Sequence, residues 1–138
     1  MMSPKKVLVV DDEVHIVHVV AIKLRNNGYE AITAGDGAQA YDLACSDKPD
    51  IIIADFQMPV MTGIELVEKL RANEQTRNIP VILLTARNFA VDDERQQQLQ
   101  ISQCITKPFS PKELLRIIED TLAPVAVLPQ QDAGATGR

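Results

Sequence analysis

The chain has 138 residues, 46% of them apolar and 24% charged, a length and balance that suit one globular domain with its own core. A net charge of −5 leaves no broad basic footprint for nucleic acid, and the apolar stretches fall far short of a membrane span. Aromatics make up only 4% and Trp is absent, so aliphatic side chains must fill the core. The two cysteines, Cys45 and Cys104, lack metal-type spacing and are too few to staple a secreted scaffold. Residues 1–6 lead directly into an apolar run without the apolar stretch or cleavage site of a signal peptide, and a reduced, cytoplasmic protein is expected.

Strands are expected at 6–10, 31–34, 50–54, 81–84 and 103–105. Short β-branched runs such as Val7-Leu8-Val9-Val10 and Ile51-Ile52-Ile53-Ala54 suit strands buried on both faces, as in a parallel sheet. After the first strand, residues 14–27 place Ile16, Val19, Val20 and Leu24 on one helical stripe that stops at Asn27-Gly28. Gly35-Asp36-Gly37 follows the second strand as a strand-to-helix turn without a dinucleotide fingerprint, and opens a short helix over 37–46. Thr62, with Glu65 three residues on, makes a capping box for a helix through Ala72. In 88–102, Asp92-Asp93-Glu94 suit a helix N-terminus, but Gln96-Gln97-Gln98 leave little to bury, and a marginal, mobile helix is expected. Ser110 with Pro111 and Glu113 starts a last helix that carries Leu114, Leu115, Ile117 and Ile118 to about Leu122. From Pro124 onward the composition shifts to Pro, Gln, Ala and Gly without a period, as in a tail or the start of a linker. Strands alternating with helices imply a parallel sheet covered on both faces by right-handed crossovers.

The chemistry gathers where the strands end. The first run ends in Asp11-Asp12, the third in Asp55 and the fifth in Lys107-Pro108, while Thr85 closes the fourth. In an open parallel sheet, ligands bind beyond the carboxyl ends of the strands. Three carboxylates placed there repel one another unless a cation sits among them, and Mg²⁺ prefers carboxylate, carbonyl, water and phosphate oxygens. One carboxylate can act as a nucleophile and form an aspartyl phosphate. Lys107 would pair with phosphate oxygens, and Thr85 offers a hydroxyl donor. Singly, each signal has a plain explanation: Asp-Asp caps turns and exposed lysines are solvated. Jointly, at the ends of alternating strands, they point to phosphoryl chemistry. His15 and His18 share a helix face, but no further ligand of suitable spacing follows and a surface pair is expected.

Four stretches together resemble the receiver domain of two-component response regulators. They are Val7-Leu8-Val9-Val10-Asp11-Asp12-Glu13, Asp55-Phe56-Gln57-Met58-Pro59-Val60-Met61-Thr62-Gly63, Ile79-Pro80-Val81-Ile82-Leu83-Leu84-Thr85-Ala86 and Ile105-Thr106-Lys107-Pro108-Phe109. The resemblance implies an α/β, flavodoxin-like doubly wound fold, a five-stranded parallel sheet of order 2-1-3-4-5 with five helices. It implies a receiver domain over 1–123 and a tail or linker start over 124–138. Asp55 would accept a phosphoryl group from a sensor histidine kinase or a histidine phosphotransfer protein. Asp11, Asp12, Asp55 and the backbone carbonyl of Gln57 would hold Mg²⁺, with Asp12 as the direct ligand and Asp11 acting through water. Thr85 and Lys107 would bond the phosphoryl oxygens, Thr85 as the moving part of a two-state switch. Gln57 and Arg87, two residues after Asp55 and Thr85, occupy positions that tune phosphoryl lifetime in the family.

The implied protein is a phosphoryl-accepting signalling module rather than an enzyme, acting on a downstream protein target through the surface at 91–122, including Lys112, Arg116 and Glu119. It would bind neither nucleic acid nor membrane directly, and homodimerisation on activation is a further hypothesis. One departure from the family stands at Cys104, three residues before the lysine, where a rotating Tyr, Phe or His is usual; a small thiol cannot sweep in and out like a ring. A phosphohydrolase of the haloacid dehalogenase type would also use acids, Mg²⁺ and a lysine at a sheet edge. It carries Asp-x-Asp after its first strand, where this chain has adjacent Asp11-Asp12. A third class is a protein-interaction domain that keeps the fold without phosphorylation, against which the complete set of Asp11, Asp12, Asp55, Thr85 and Lys107 argues.

Overall fold

The computed structural model describes residues 4–86 and 92–123. In chain order the elements are β1 (Lys6–Val10), α1 (Val14–Arg25), β2 (Glu30–Ala34), α2 (Gly37–Asp47), β3 (Ile51–Asp55), α3 (Gly63–Ala72), β4 (Val81–Thr85), α4 (Asp93–Gln98), β5 (Ile101–Thr106) and α5 (Pro111–Leu122). The five strands form one parallel sheet in the order β2-β1-β3-β4-β5.

Alternation along each central strand divides the core in two. Leu8, Val10, Ile52, Ala54, Val81 and Leu83 point to one face and pack with Ala40 and Ala44 of α2 and Leu66, Val67 and Leu70 of α3. Val7, Val9, Ile51, Ile53, Ile82 and Leu84 point to the other, against Val20, Ala21 and Leu24 of α1 and Leu114, Leu115 and Ile118 of α5. Because both faces are covered, β1 after Lys6, and β3 and β4 throughout, carry only apolar side chains until their carboxyl ends, where the first polar ones are Asp11, Asp55 and Thr85.

The local signals explain most boundaries. Asp36 caps α2, its carboxylate accepting from the Gln39 amide at 2.8 Å. Thr62 and Glu65 form the expected capping box of α3. Gly28, at φ 88°, turns the chain out of α1, and the Tyr29 amide reaches back to the Leu24 carbonyl at 3.1 Å.

The helix expected over 88–102 is marginal, as its composition implies: among the described residues it is the six-residue α4, none of it buried, and residues 88–91 lie outside the described part. One element differs from the expectation. The fifth strand begins two residues earlier than its apolar pattern indicates. Ile101 pairs with Val81 and Gln103 with Ile82, so an irregularity there accommodates an extra residue.

Polar contacts from α3 hold this thin region. Glu68 pairs with Arg95 of α4. The Arg71 guanidinium donates to the carbonyls of Leu99 (2.7 Å), Gln100 (3.2 Å), Arg77 (2.9 Å) and Ile79 (2.8 Å), tying the turns before β4 and β5 to one side chain. Gln100 stands at positive φ (56°), which makes that turn depend on outside support. Arg71→Ala should therefore cost on the order of 2–3 kcal/mol, since hydrogen bonds from a charged donor are among the stronger ones. Native-state hydrogen exchange should show the loss concentrated in α4 and the start of β5.

Candidate phosphoryl-acceptor site

Asp11 and Asp12 follow β1, Asp55 is the last residue of β3, Thr85 the last of β4, and Lys107 the first after β5. Parallel pairing of β1 with β3 and of β3 with β4 brings these ends to one edge. One oxygen from each of Asp11, Asp12 and Asp55 lies within 4.8 Å of the others. Opposite ligands of Mg²⁺ stand about 4.2 Å apart, so these acids fit a Mg²⁺ centre with slight closure.

The three acids are not equivalent. Asp11 is buried, one oxygen accepting from the Glu13 amide at 2.9 Å and the other from Lys107 Nζ at 2.9 Å. Asp12 is exposed. Asp55 is 6% exposed and its carboxylate lies 3.2 Å from Lys107 Nζ. Burial, followed by the charge of Asp11, raises the Asp55 carboxyl from 3.8 to about 6, with Lys107 opposing the rise. Burial works against the Lys107 ammonium, but hydrogen bonds to Asp11 and Glu13 and the charges of Asp11 and Asp55 outweigh it and raise its pKa.

Backbone contacts set these positions. The Lys107 amide donates to the Thr85 carbonyl at 2.7 Å, fixing the loop after β5 to the end of β4, and the Lys107–Pro108 peptide is cis. Thr85 itself is buried. The loop leaving Asp55 doubles back, with the Gly63 amide on the Phe56 carbonyl at 2.9 Å. A Cβ on Gly63 would meet the Asp55 carbonyl oxygen at 2.6 Å, so only glycine allows this approach. The same loop carries Gln57, exposed, and a tight turn at Val60 (φ 73°) closed by the Met61 amide on the Pro59 carbonyl at 2.7 Å.

The structure thus brings together Asp11, Asp12, Asp55 and Lys107, with Thr85 buried at the end of the adjoining strand. Glu13 is the member that sequence reasoning missed: its carboxylate accepts from Lys107 Nζ at 3.0 Å. Its position next to the Asp-Asp pair was the available signal. Arg87 lies outside the described residues. His15 and His18 are exposed. Cys104 is half-buried against the α2–α3 side of the core, and burial pushes its thiol up, as befits a small apolar side chain.

A parallel 2-1-3-4-5 sheet with this acid cluster at its carboxyl edge is the CheY-like receiver fold. Residues 7–119 match the response regulator receiver domain, and the chain belongs to that family, the phosphorylation-accepting signalling domain of two-component systems. It is 39% identical over 123 residues to the phosphate regulon transcriptional regulatory protein PhoB of Pseudomonas aeruginosa, covering 88% of this chain and 53% of that protein. It is 41% identical over 110 residues to the alkaline phosphatase synthesis transcriptional regulatory protein PhoP of Bacillus subtilis, covering 80% and 45%. The chain spans about half the length of these curated relatives.

Among solved structures, the chemotaxis response regulator CheY4 of Vibrio cholerae superposes with a TM-score of 0.79 at 35% identity, covering 86% of this chain and 99% of that one. The receiver domain of sensor histidine kinase PA1611 from Pseudomonas aeruginosa, with a magnesium ion coordinated in its active site cleft, gives 0.75 at 32% identity, covering 85% and 96%.

The Asp55 shift predicts a pH dependence in the absence of divalent cations. The folded state holds this proton more tightly than the unfolded chain, so the group favours folding below pH 3.8 and the advantage is lost as pH rises through about 6. Asp55→Asn should therefore be more stable than the wild type at pH 7.5, by on the order of 2 kcal/mol. Denaturant titrations with EDTA present should show the two curves converging toward pH 4.

Proposed function

We propose that Asp55 accepts the phosphoryl group, and that the observation carrying this reading is the meeting of Asp11, Asp12, Asp55 and Lys107 at the carboxyl edge of the sheet. A carboxylate oxygen of Asp55 attacks phosphorus of a phosphohistidine on a sensor histidine kinase or histidine phosphotransfer protein. The new P–O bond forms as the P–N bond breaks, and the histidine nitrogen keeps the electron pair. Asp11, Asp12, Asp55 and the Gln57 backbone carbonyl would hold Mg²⁺, which when bound supplies positive charge to the phosphoryl oxygens. The exposure of Asp12 supports it as a direct ligand, and the two hydrogen bonds already made by Asp11 support a contact through water. Lys107 pairs with a phosphoryl oxygen, and Thr85, at the end of β4, donates its hydroxyl to another.

The domain over 1–123 then serves as a stoichiometric acceptor and switch rather than an enzyme with a separate substrate, in the cytoplasm where kinase domains reside. A downstream protein is its target, through α4, β5 and α5, and homodimerisation on activation belongs to the same reading. PhoB and PhoP are named as transcriptional regulatory proteins, while a net charge of −5 favours output from this domain through protein contacts. With Cys104 in the position of the usual ring, coupling from Thr85 to this face does not use a rotating aromatic at that position. An Asp11 nucleophile of the phosphohydrolase kind is disfavoured, because both its oxygens are engaged.

Incubation with a phosphorylated histidine donor and Mg²⁺ should label the wild type up to one phosphoryl group per chain, and Asp55→Asn should lose stable labelling. Wild-type labelling of that variant would place the acceptor elsewhere. Lys107→Ala should still bind Mg²⁺, seen as amide shifts around Asp12 and Asp55, but should bind beryllofluoride, a phosphoryl mimic, at least about tenfold more weakly, as expected for a charge-assisted contact. Loss of the Mg²⁺ shifts in that variant would contradict the role given to the ammonium.

A further inference from the structure

Glu13 occupies the N-cap of α1, yet its side chain makes no cap hydrogen bond. The carboxylate instead crosses to Lys107 Nζ at 3.0 Å. Two of the three N–H donors of the ammonium therefore go to Asp11 and Glu13, and the third faces Asp55 at 3.2 Å. To turn fully toward the oxygens of a phosphoryl group on Asp55, Lys107 must loosen one of the first two contacts.

The two partners differ in what release would cost. The Asp11 side chain is fully buried, so losing the ammonium would leave a buried charge with one contact fewer. The Glu13 side chain is 48% exposed and returns to water at little cost. Glu13 also stands apart from the three acids that share the metal-sized cluster.

The geometry points to Glu13 as a positioning residue for phosphoryl acceptance: a displaceable counter-ion that parks the Lys107 ammonium at rest and competes with the phosphoryl group for it. This rests on the reading of Asp55 as acceptor. Glu13 thereby sets how readily the phosphorylated state forms, without touching the reacting atoms.

The test is a beryllofluoride titration at fixed Mg²⁺ and low salt, followed by amide NMR, on wild type, Glu13→Gln, Lys107→Ala and the double variant. Glu13→Gln should bind about two- to fivefold more tightly than wild type, the scale of a half-exposed ion pair. That gain should vanish in the Lys107→Ala background, because the competition needs the ammonium. Should the alanine background bind too weakly to titrate, the Nζ resonance of Lys107 decides. It should differ between wild type and Glu13→Gln at rest and coincide once both are saturated.

No gain in Glu13→Gln overturns the inference. So does an equal gain without Lys107, which would mean that Glu13 acts only through its own charge on the anion, and so does an Nζ resonance that still differs at saturation. Wild-type binding that is absent, or that survives in Asp55→Asn, removes the acceptor reading and this inference with it; normal wild-type binding without the Glu13 effect removes the inference alone.

Discussion

The ammonium of Lys107 makes the carboxyl edge of this sheet tenable. It bonds Asp11 and Glu13 and lies 3.2 Å from Asp55, so one cation compensates acids delivered by two strands and a helix cap. The compensation is incomplete. The Asp55 carboxyl remains pushed up to about 6, first by burial and then by Asp11, and the site keeps an unmet demand for positive charge. The same electrostatic deficit that makes the resting site costly makes it receptive to a divalent cation.

The rest of the fold exists to hold that edge in register. Past Lys6, β1, β3 and β4 are apolar on both faces until their carboxyl ends, where Val10 pairs with Ala54 and Asp55 with Leu84, so that Asp11, Asp55 and Thr85 emerge within one residue of the same level. The loops then converge through backbone contacts: the Lys107 amide on the Thr85 carbonyl, and the Gly63 amide on the Phe56 carbonyl with room for no Cβ. Opposite in character is the α4 region, where no helical residue is buried and α3 supplies Glu68 and Arg71 as polar supports. A rigid acceptor edge beside a thinly held segment is the division of labour a switch requires, because the element that responds must have low local stability.

Much of this was legible in the chain itself. Runs such as Ile51-Ile52-Ile53-Ala54, short and β-branched, suit a strand covered on both faces, and the Thr62–Glu65 capping box marks α3 within a residue. These signals are local, and neither tertiary packing nor loop geometry competes with them. The start of β5 was missed because the local signal there is weak: the strand carries an extra residue that hides its alternation behind an irregularity. As an edge strand it also shows exposed Ser102 and Gln103, which dilute its apolar pattern.

The sequence by itself determined the parallel sheet covered on both faces that alternating strands and helices imply, and the identity of Asp11, Asp12, Asp55, Thr85 and Lys107 as strand-end chemistry. Residue type and periodicity carry that information, since a buried strand can place a charge only at its end. Tertiary structure alone decided how those charges are shared. That Asp11 is buried while Asp12 stays open, and that Glu13 forgoes capping its own helix to hold a lysine 94 residues away, depends on distances across the sheet edge. Spacing along the chain has no record of such distances, because they arise only when separate strands are laid side by side.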